Sequence, residues 1–212
     1  MKTSQLIAAL SADPVPQPVH IGRRVWAALT AGLIISLIFF ALFVGLRPDL
    51  AAAVRTVRFD LKFLAAAALL LPSLLLLLRL SRPDAKPGAL PLGLFAPVLL
   101  LAVAVVIELM VTPSGEWLRR LIGVKPLYCV TVITMLAAPP LAGLVAALRA
   151  AAPMHSGWSG ALAGATAAGI ASLVFAAHCP NDSPLFVATW HPLATLICGT
   201  TGALAGRRFL AW

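Results

Sequence analysis

The chain has 212 residues, of which 61% are hydrophobic and 11% are charged, and its mean hydropathy is +0.98. Soluble domains carry about 25% charged residues, so this composition excludes an ordinary soluble domain and indicates an integral membrane protein. The net charge of +9 does not indicate nucleic-acid binding, because the 16 lysines and arginines stand in small groups at the ends of apolar runs. Positive residues in those places suit lipid headgroups.

The first element in chain order is a tail at residues 1–24, before the first apolar run. Asp13 and three prolines leave it without the apolar core of a signal peptide, so we expect no cleavage there. Leu6, Ile7 and Leu10 fall on one helical face. Because so short a helix is marginal in water, the tail is either disordered or a docking segment that folds in a partner's groove. These three apolar residues are the candidate partner-binding residues.

Six apolar runs follow, each near the length that crosses a bilayer as a helix. They predict an all-α integral membrane fold, a six-transmembrane-helix bundle with short loops. The predicted spans are 25–46, 60–80, 90–112, 127–148, 157–178 and 187–206. The chain then divides into a cytoplasmic tail at 1–24, a transmembrane domain at 25–206 and a short cytoplasmic C-terminus at 207–212.

An even number of spans puts both termini on one side of the membrane. With the N-terminus inside, nine of the 16 lysines and arginines lie in inner segments and seven in outer ones. The positive-inside rule therefore favours this orientation by a small margin. In a bacterium the membrane would be the inner membrane, with the outer loops in the periplasm.

Three further patterns concern the spans and their connections. Residues 48–62 and 114–123 carry apolar and basic stripes at helical spacing, which predicts two helices on the outer membrane surface. Gly-Ala-Leu-Ala-Gly occurs at 160–164 and again at 202–206, which predicts close packing of the fifth and sixth spans. Glu108, near the outer end of the third span, is either a ligand or proton site or a residue that reaches headgroups or a neighbouring helix.

Candidate chemistry is concentrated in the polar loop His178-Cys179-Pro180-Asn181-Asp182-Ser183-Pro184. Cys129 begins the fourth span, and the predicted topology puts it at the same outer interface as Cys179. The two thiols are then a stabilising disulfide, a switching pair that is oxidised or binds metal, or two unrelated thiols. A disulfide would close a loop of about fifty residues, for which chain entropy gives roughly 4 kcal/mol. Cys198 lies in mid-span among small residues and is predicted to be a buried packing residue.

The same loop suggests a soft-metal site. Cys129, Cys179, His178, Asp182 and His191 are the candidate ligands, because thiolate and imidazole suit zinc, copper(I) and other thiophilic ions. No CxxC or HxxxH spacing is present, so the sequence establishes no cofactor.

Several stretches together resemble the NrsF-like family of bacterial membrane anti-sigma factors. They are Met1-Lys2-Thr3 with Leu6, Ile7 and Leu10, Arg47-Pro48-Asp49-Leu50, Phe59 to Lys62, Cys129, the 178–184 loop with Phe186 and Trp190, and Gly206-Arg207-Arg208. The resemblance implies six transmembrane helices and a cytoplasmic N-terminal segment that holds an extracytoplasmic-function sigma factor inactive. It also implies two outward-facing cysteines that respond to metal or oxidative stress, which correspond here to Cys129 and Cys179. Cys198 matches no motif of the family.

Two other functions compete with this interpretation. A small metal-ion transporter or channel would place ionisable residues along a path through the bilayer, whereas Glu108 is nearly the only candidate. A membrane enzyme such as a thiol oxidoreductase would need a CxxC, a cofactor motif or a paired acid and base, none of which occurs in the loops. We therefore expect a regulator and no enzyme, with a sigma factor and the lipid bilayer as partners and no direct contact with nucleic acid. The sequence does not indicate the oligomeric state.

Overall fold

The computed structural model of the protein describes residues 3, 5, 20–81, 86–151, 153 and 155–210, and their regular structure is entirely helical. In chain order the α-helices are α1 (Ile21–Phe39), α2 (Leu50–Ala53), α3 (Val57–Leu80), α4 (Ala96–Val111), α5 (Trp117–Ile122), α6 (Pro126–Arg149), α7 (Ser156–Ala176) and α8 (Pro184–Phe209). A π-helical turn, Phe40–Val44, extends α1, and 3-10 turns at Leu90–Phe95 and Ser114–Glu116 precede α4 and α5. The candidate partner-binding residues Leu6, Ile7 and Leu10 lie outside the described residues.

Within the described part of the chain, five helical segments are long and apolar enough to cross a membrane. They are Ile21–Val44, Val57–Leu80, Leu90–Val111, Ser114–Arg149 and Ser156–Ala176. The sixth predicted span, 187–206, lies within α8, whose 26 residues are about 39 Å long. Because α8 includes histidine, several threonines and two arginines, it is more polar than the other five. The all-helical prediction is confirmed for the described residues, whereas membrane insertion and the count of six spans stay predictions.

The closest packing in the fold joins α7 to α8. A Cβ atom on Gly160 would collide with the carbonyl oxygen of Gly202, and one on Gly164 would collide with that of Cys198. Gly206 lies against the carbonyl oxygen of Ser156 in the same way. The two Gly-Ala-Leu-Ala-Gly segments thus form one contact in which the helix backbones touch, as the sequence predicts.

The apolar core lies where α6 packs against α1, α7 and α8 and where α3 packs against α7. Ile133, Leu136 and Leu144 on α6 are fully buried, as are Leu77 on α3 and Phe175 on α7. Between α1 and α6 the hydroxyl of Ser36 donates to the carbonyl oxygen of Leu136 at 2.7 Å. This packing places the N-terminal end of α6 beside the C-terminal end of α7.

One of the two predicted surface helices is wrong. Residues 48–62 do not form a single helix, because the backbone at Thr56 is extended (φ −110°, ψ 132°) and divides the segment into the one-turn α2 and the start of α3. The hydroxyl oxygen of Thr56 accepts a hydrogen bond from the amide of Phe59, which caps α3. Lys62 therefore belongs to a long helix of the bundle. The second prediction, 114–123, is confirmed as a helix by the 3-10 turn Ser114–Glu116 and α5.

Candidate thiol site

Two cysteines that are fifty residues apart in sequence face each other in the structure. Cys129 lies in the first turns of α6, and Cys179 lies in the loop after α7. Their Sγ atoms are 3.8 Å apart, and both residues are free thiols and buried. The predicted proximity of the two thiols is thus present in the fold. Their sensing role stays a prediction.

Two buried cations hold the loop that carries Cys179. The Lys62 ammonium donates to the carbonyl oxygen of Cys179 at 2.8 Å and pairs with Asp182 at 2.5 Å. Nη1 of Arg47 lies 3.2 Å from the same carbonyl oxygen and 2.9 Å from Oδ1 of Asp182. The side chain of Lys62 is 0% exposed and that of Arg47 is 6% exposed. Buried cations of this kind need full pairing, which the carbonyl and the carboxylate supply.

Arg47 also pairs with Asp49, which lies in the same loop after α1. Nε and Nη2 of the guanidinium each lie 2.7 Å from one carboxylate oxygen, a bidentate arrangement. The hydrogen bonds with Asp49 and Asp182 outweigh the effect of burial and raise the pKa of Arg47. The Arg47 guanidinium in turn lowers the pKa of Asp49. Arg47 therefore stays charged and links the first outer loop to the Cys179 loop.

An asparagine joins the Cys179 loop to the segment that leads into α6. The side chain of Asn181 donates to the carbonyl oxygen of Val124 at 2.9 Å and accepts from its amide at 3.0 Å. Gly123 next to it has a φ of +58°, a conformation that favours glycine, and a Cβ there would meet Asn181 and Phe186. This pairing fixes the loop relative to the start of the helix that carries Cys129.

Two of the remaining predicted metal ligands, His178 and Asp182, are engaged by other partners in the described structure, whereas His191 is not. Nδ1 of His178 lies 2.9 Å from the carbonyl oxygen of Gly45, and Asp182 is engaged by the two cations. His191 is buried on α8, and its Nε2 atom makes no hydrogen bond to the described part of the chain. Among the described residues, no three histidine, cysteine or acidic side chains are grouped so as to hold a metal ion. Metal binding by this set stays a prediction.

The environments of the two thiols differ. The interaction with Cys129, followed by those with the neighbouring His191 imidazole and the positive charge of Lys62, outweighs burial and holds the pKa of Cys179 below its ordinary value. A cavity of about 380 Å³ borders Cys129 and is lined by Tyr128, Phe175 and Pro180, among others. The cavity adjoins Cys129, whereas Cys179 is not part of its lining and has no exposed surface. Cys198 is buried in the contact between α7 and α8, as predicted for a packing residue.

A second cluster of charges surrounds Glu108 at the same end of the bundle. Its carboxylate is 2.8 Å from Nη2 of Arg58 on α3 and 2.7 Å from Nη1 of Arg120 on α5. The hydroxyl of Ser183, in the Cys179 loop, lies 3.4 Å from the same carboxylate. Glu108 is therefore a buried, ion-paired residue that ties α4 to its neighbours. This corresponds to the alternative in which Glu108 reaches a neighbouring helix.

The sequence does not predict that Arg47 and Lys62 belong to the site. As basic residues of the outer connections, both are expected to contact lipid headgroups, whereas both are buried against the Cys179 loop. One signal was available, since Lys62 stands between Leu61 and Phe63 at the start of an apolar run. A lysine in that setting is as compatible with headgroup contact as with burial, so its partner could not be identified from spacing.

Comparison with known proteins gives consistent results. The sequence profile of a family described as NrsF, negative regulator of sigma F, matches residues 9–212. The chain is 31% identical over 214 residues to a probable anti-sigma-F factor NrsF of Azospira oryzae, covering the whole of both chains. It is 32% identical over 227 residues to the anti-sigma-F factor NrsF of Caulobacter vibrioides, again over the whole of both chains. No solved structure matches the chain at a significant level.

Proposed function

The chain belongs to the NrsF family of negative regulators of sigma F, and we propose that it is a membrane-embedded anti-sigma factor for a sigma factor of the extracytoplasmic-function class. It holds the sigma factor at the bacterial inner membrane, with both termini in the cytoplasm, and releases it when Cys129 and Cys179 are modified from the periplasm. The names of the two relatives and the apolar helices support this proposal. The class is regulatory and not enzymatic.

The observation that carries the sensing part is the buried thiol pair. A disulfide requires the two sulfur atoms to approach from 3.8 Å to about 2 Å. Either the Cys179 loop or the start of α6 must then shift, and both are packed against other helices. A signal moves a two-state equilibrium only when it favours one state, and a new bond between α6 and the loop after α7 meets that condition.

A thiophilic ion is the second candidate signal. Two facing sulfur atoms suit zinc, copper(I) or a heavier soft ion as two of its ligands. Tetrahedral zinc–thiolate bonds of about 2.3 Å would keep the two sulfur atoms roughly as far apart as the 3.8 Å present here, so metal capture would need less movement of the two segments than a disulfide. The other ligands would come from water or from a rearranged loop, since the described residues offer no third ligand in place.

The sigma-binding part is assigned to the tail at residues 1–24. Leu6, Ile7 and Leu10 would form the apolar face of a helix that folds in a groove of the sigma factor. On this account the bundle holds the tail at the membrane, and the state of the thiols determines whether the tail is available.

Replacing Cys129 and Cys179 with serine tests the sensing part. Genes that depend on the partner sigma factor should stay repressed in the double variant under a hydroperoxide or cadmium, while the native protein releases them. Cys198→Ser is the matched control and should respond like the native protein, because Cys198 is packed in the α7–α8 contact. A normal response in the double variant would remove these thiols from the mechanism.

Deleting residues 1–20 tests the sigma-binding part separately. The shortened protein should reach the membrane at the native level and leave the sigma factor active without any stress. Unchanged repression by a correctly inserted protein would show that the tail is not the tether.

A metal-ion transporter is the alternative function. A transporter needs polar or ionisable groups along its path through the bilayer. The described carboxylates instead lie in the outer loops or near the outer ends of helices, and Glu108 is fully ion-paired. Metal uptake into liposomes that contain the purified protein would support transport, and its absence would support the regulator.

A further inference from the structure

Lys62 is the least expected side chain of the thiol site. It is a lysine in the second turn of α3 whose side chain has no exposed surface, and removing an ammonium from water is costly unless its partners replace the lost solvation. Its two polar partners both belong to the segment that carries Cys179, namely the carbonyl oxygen of Cys179 and the carboxylate of Asp182. Lys62 is therefore placed to hold Cys179 in position.

The segment that carries Cys179 is held by side chains from other parts of the bundle. Lys62 reaches it from α3, and Arg47 reaches the same carbonyl oxygen and the same carboxylate from the loop after α1. We call these two residues the cation clamp. The aromatic ring of Phe59 lies under both cations, 5.3 Å from Nζ of Lys62 and 6.0 Å from Cζ of Arg47. A carbonyl oxygen has two lone pairs, so two donors saturate it and leave Cys179 little freedom to move.

The opposite side of the loop is fixed as well. Asn181 pairs with the backbone of Val124, two residues before the first turn of α6. Cys179 thus lies between the cation clamp and the Asn181 pairing, which together set its sulfur opposite that of Cys129.

We propose that Lys62, together with Arg47, is a positioning residue that holds the Cys179 sulfur against the Cys129 sulfur, so that the two thiols are oxidised as a pair. The inference rests on the proposed function, since it concerns the regulation of the same thiol site. It goes beyond that function by assigning the pairing of the thiols to a cation on a third helix.

The chemistry shows why positioning matters. One thiol attacks the outer oxygen of a hydroperoxide, the O–O bond breaks, and the sulfur becomes a sulfenic acid while an alcohol or water leaves. The second thiol then attacks that sulfur, the S–S bond forms, and hydroxide leaves with the second thiol's proton as water. The two thiols supply both electrons. If the second sulfur is displaced, the sulfenic acid persists and no disulfide forms.

The test measures the effective concentration of one thiol relative to the other, which sets how readily the Cys129–Cys179 disulfide forms. It is obtained by equilibrating the purified full-length protein with reduced and oxidised glutathione. All proteins carry Cys198→Ala, so that only the two thiols of interest react. Lys62→Met should lower the effective concentration at least tenfold, because methionine fills a similar volume without holding the carbonyl oxygen or Asp182. Lys125→Met is the matched control, since it removes an exposed lysine near Cys129 that contacts neither group, and it should change the value less than threefold.

Asp182→Asn keeps the proposal testable if Lys62→Met fails to fold. It removes the charge that both cations share, at a residue that is partly exposed, and should also lower the effective concentration at least tenfold. A native value in Lys62→Met, or in Asp182→Asn if that variant alone folds, would overturn the proposal. So would an equal fall in Lys125→Met, because the effect would then follow charge and not position. No sigma factor is present in this assay, so its result is independent of the gene-expression test of the proposed function.

Discussion

Glu108 shows at the scale of a residue how the outer end of the bundle is assembled. On α4, described burial is confined to Glu108, Pro97 and Leu101, so Glu108 is the polar anchor of a helix that otherwise faces outward. It is paired with Arg58 and Arg120, and Ser183 connects it to the Cys179 loop. Removing a buried charge leaves its partners buried and unpaired, which lowers stability strongly.

Glu108→Gln should therefore destabilise the protein. The amide keeps one hydrogen-bond acceptor but loses the charge that Arg58 and Arg120 share, and we expect the free energy of unfolding to fall by about 2 kcal/mol, below the range for fully buried pairs because both arginines are partly exposed. The measurement is denaturant unfolding in detergent micelles.

Glu116→Gln is the matched control for this prediction. Glu116 also pairs with Arg120, but its side chain is 37% exposed against 2% for Glu108, so its loss should have a clearly smaller effect. Equal stability of Glu108→Gln and the native protein would contradict the structural role of Glu108.

The sequence predicts the two cysteines of the thiol site better than it predicts the two cations that hold the Cys179 loop. Topology puts Cys129 and Cys179 at the same face, because both mark span ends on that side, and the fold shows that their sulfur atoms face each other at 3.8 Å. The cation clamp does not follow from topology, since Arg47 and Lys62 stand where lipid anchors stand and only the fold shows that they turn inward. Pairing between side chains on non-adjacent segments leaves no periodic signal.

At the scale of elements, α7 and α8 behave as one unit. Their backbones touch along Gly160, Gly164, Gly202 and Gly206, where no side chain separates them. The loop that carries Cys179 connects these two helices. A shift of the loop is therefore expected to displace the pair together and not one helix alone.

Gly160→Ala tests this contact. The added Cβ would collide with the carbonyl oxygen of Gly202, and backbone cannot move aside as a flexible side chain can. We expect a loss of about 3 kcal/mol in the free energy of unfolding, at the upper end of the range for overpacking. The same unfolding assay in micelles measures it.

Gly199→Ala on α8 is the matched control. A Cβ there would meet only the carbonyl oxygen of Ala161 at 3.9 Å, so stability should be unchanged or higher. If the two alanine variants are equally stable, the backbones are not in contact as described.

The sequence predicts most of the helices, because long apolar runs and the repeated small residues carry strong local signals. It fails at 48–62, where the helical spacing of apolar and basic residues continues through Thr56 although the chain is extended there. A threonine capping α3 competes with helix continuation, and the burial of Phe59 and Lys62 decides the outcome.

At the scale of the whole molecule, charge is divided between the two ends of the bundle. The described carboxylates, Asp49, Asp60, Glu108, Glu116 and Asp182, all fall at the end that holds the thiols. The opposite end holds Arg23, Arg24, Arg149, Arg207 and Arg208, all exposed. The positive-inside rule counts lysines and arginines and not carboxylates, and the thiol end also holds basic residues, so this division of carboxylates does not establish which end faces the cytoplasm. The orientation stays a prediction.

Single introduced cysteines test this orientation. In a variant with all three native cysteines replaced by serine, Arg55→Cys should react with a membrane-impermeant maleimide in intact spheroplasts. Arg208→Cys should react only after the membrane is permeabilised. The reverse pattern would place the thiol pair in the cytoplasm and contradict periplasmic sensing.

The central claim is that the state of one thiol pair determines whether the sigma factor is held. The most direct measurement is the affinity of the co-purified sigma factor for the Cys198→Ala protein in nanodiscs, with Cys129 and Cys179 either reduced or joined in a disulfide. The account predicts tight binding to the reduced form and at least tenfold weaker binding to the oxidised form, a difference of about 1.4 kcal/mol or more. Equal affinity for the two forms would contradict it.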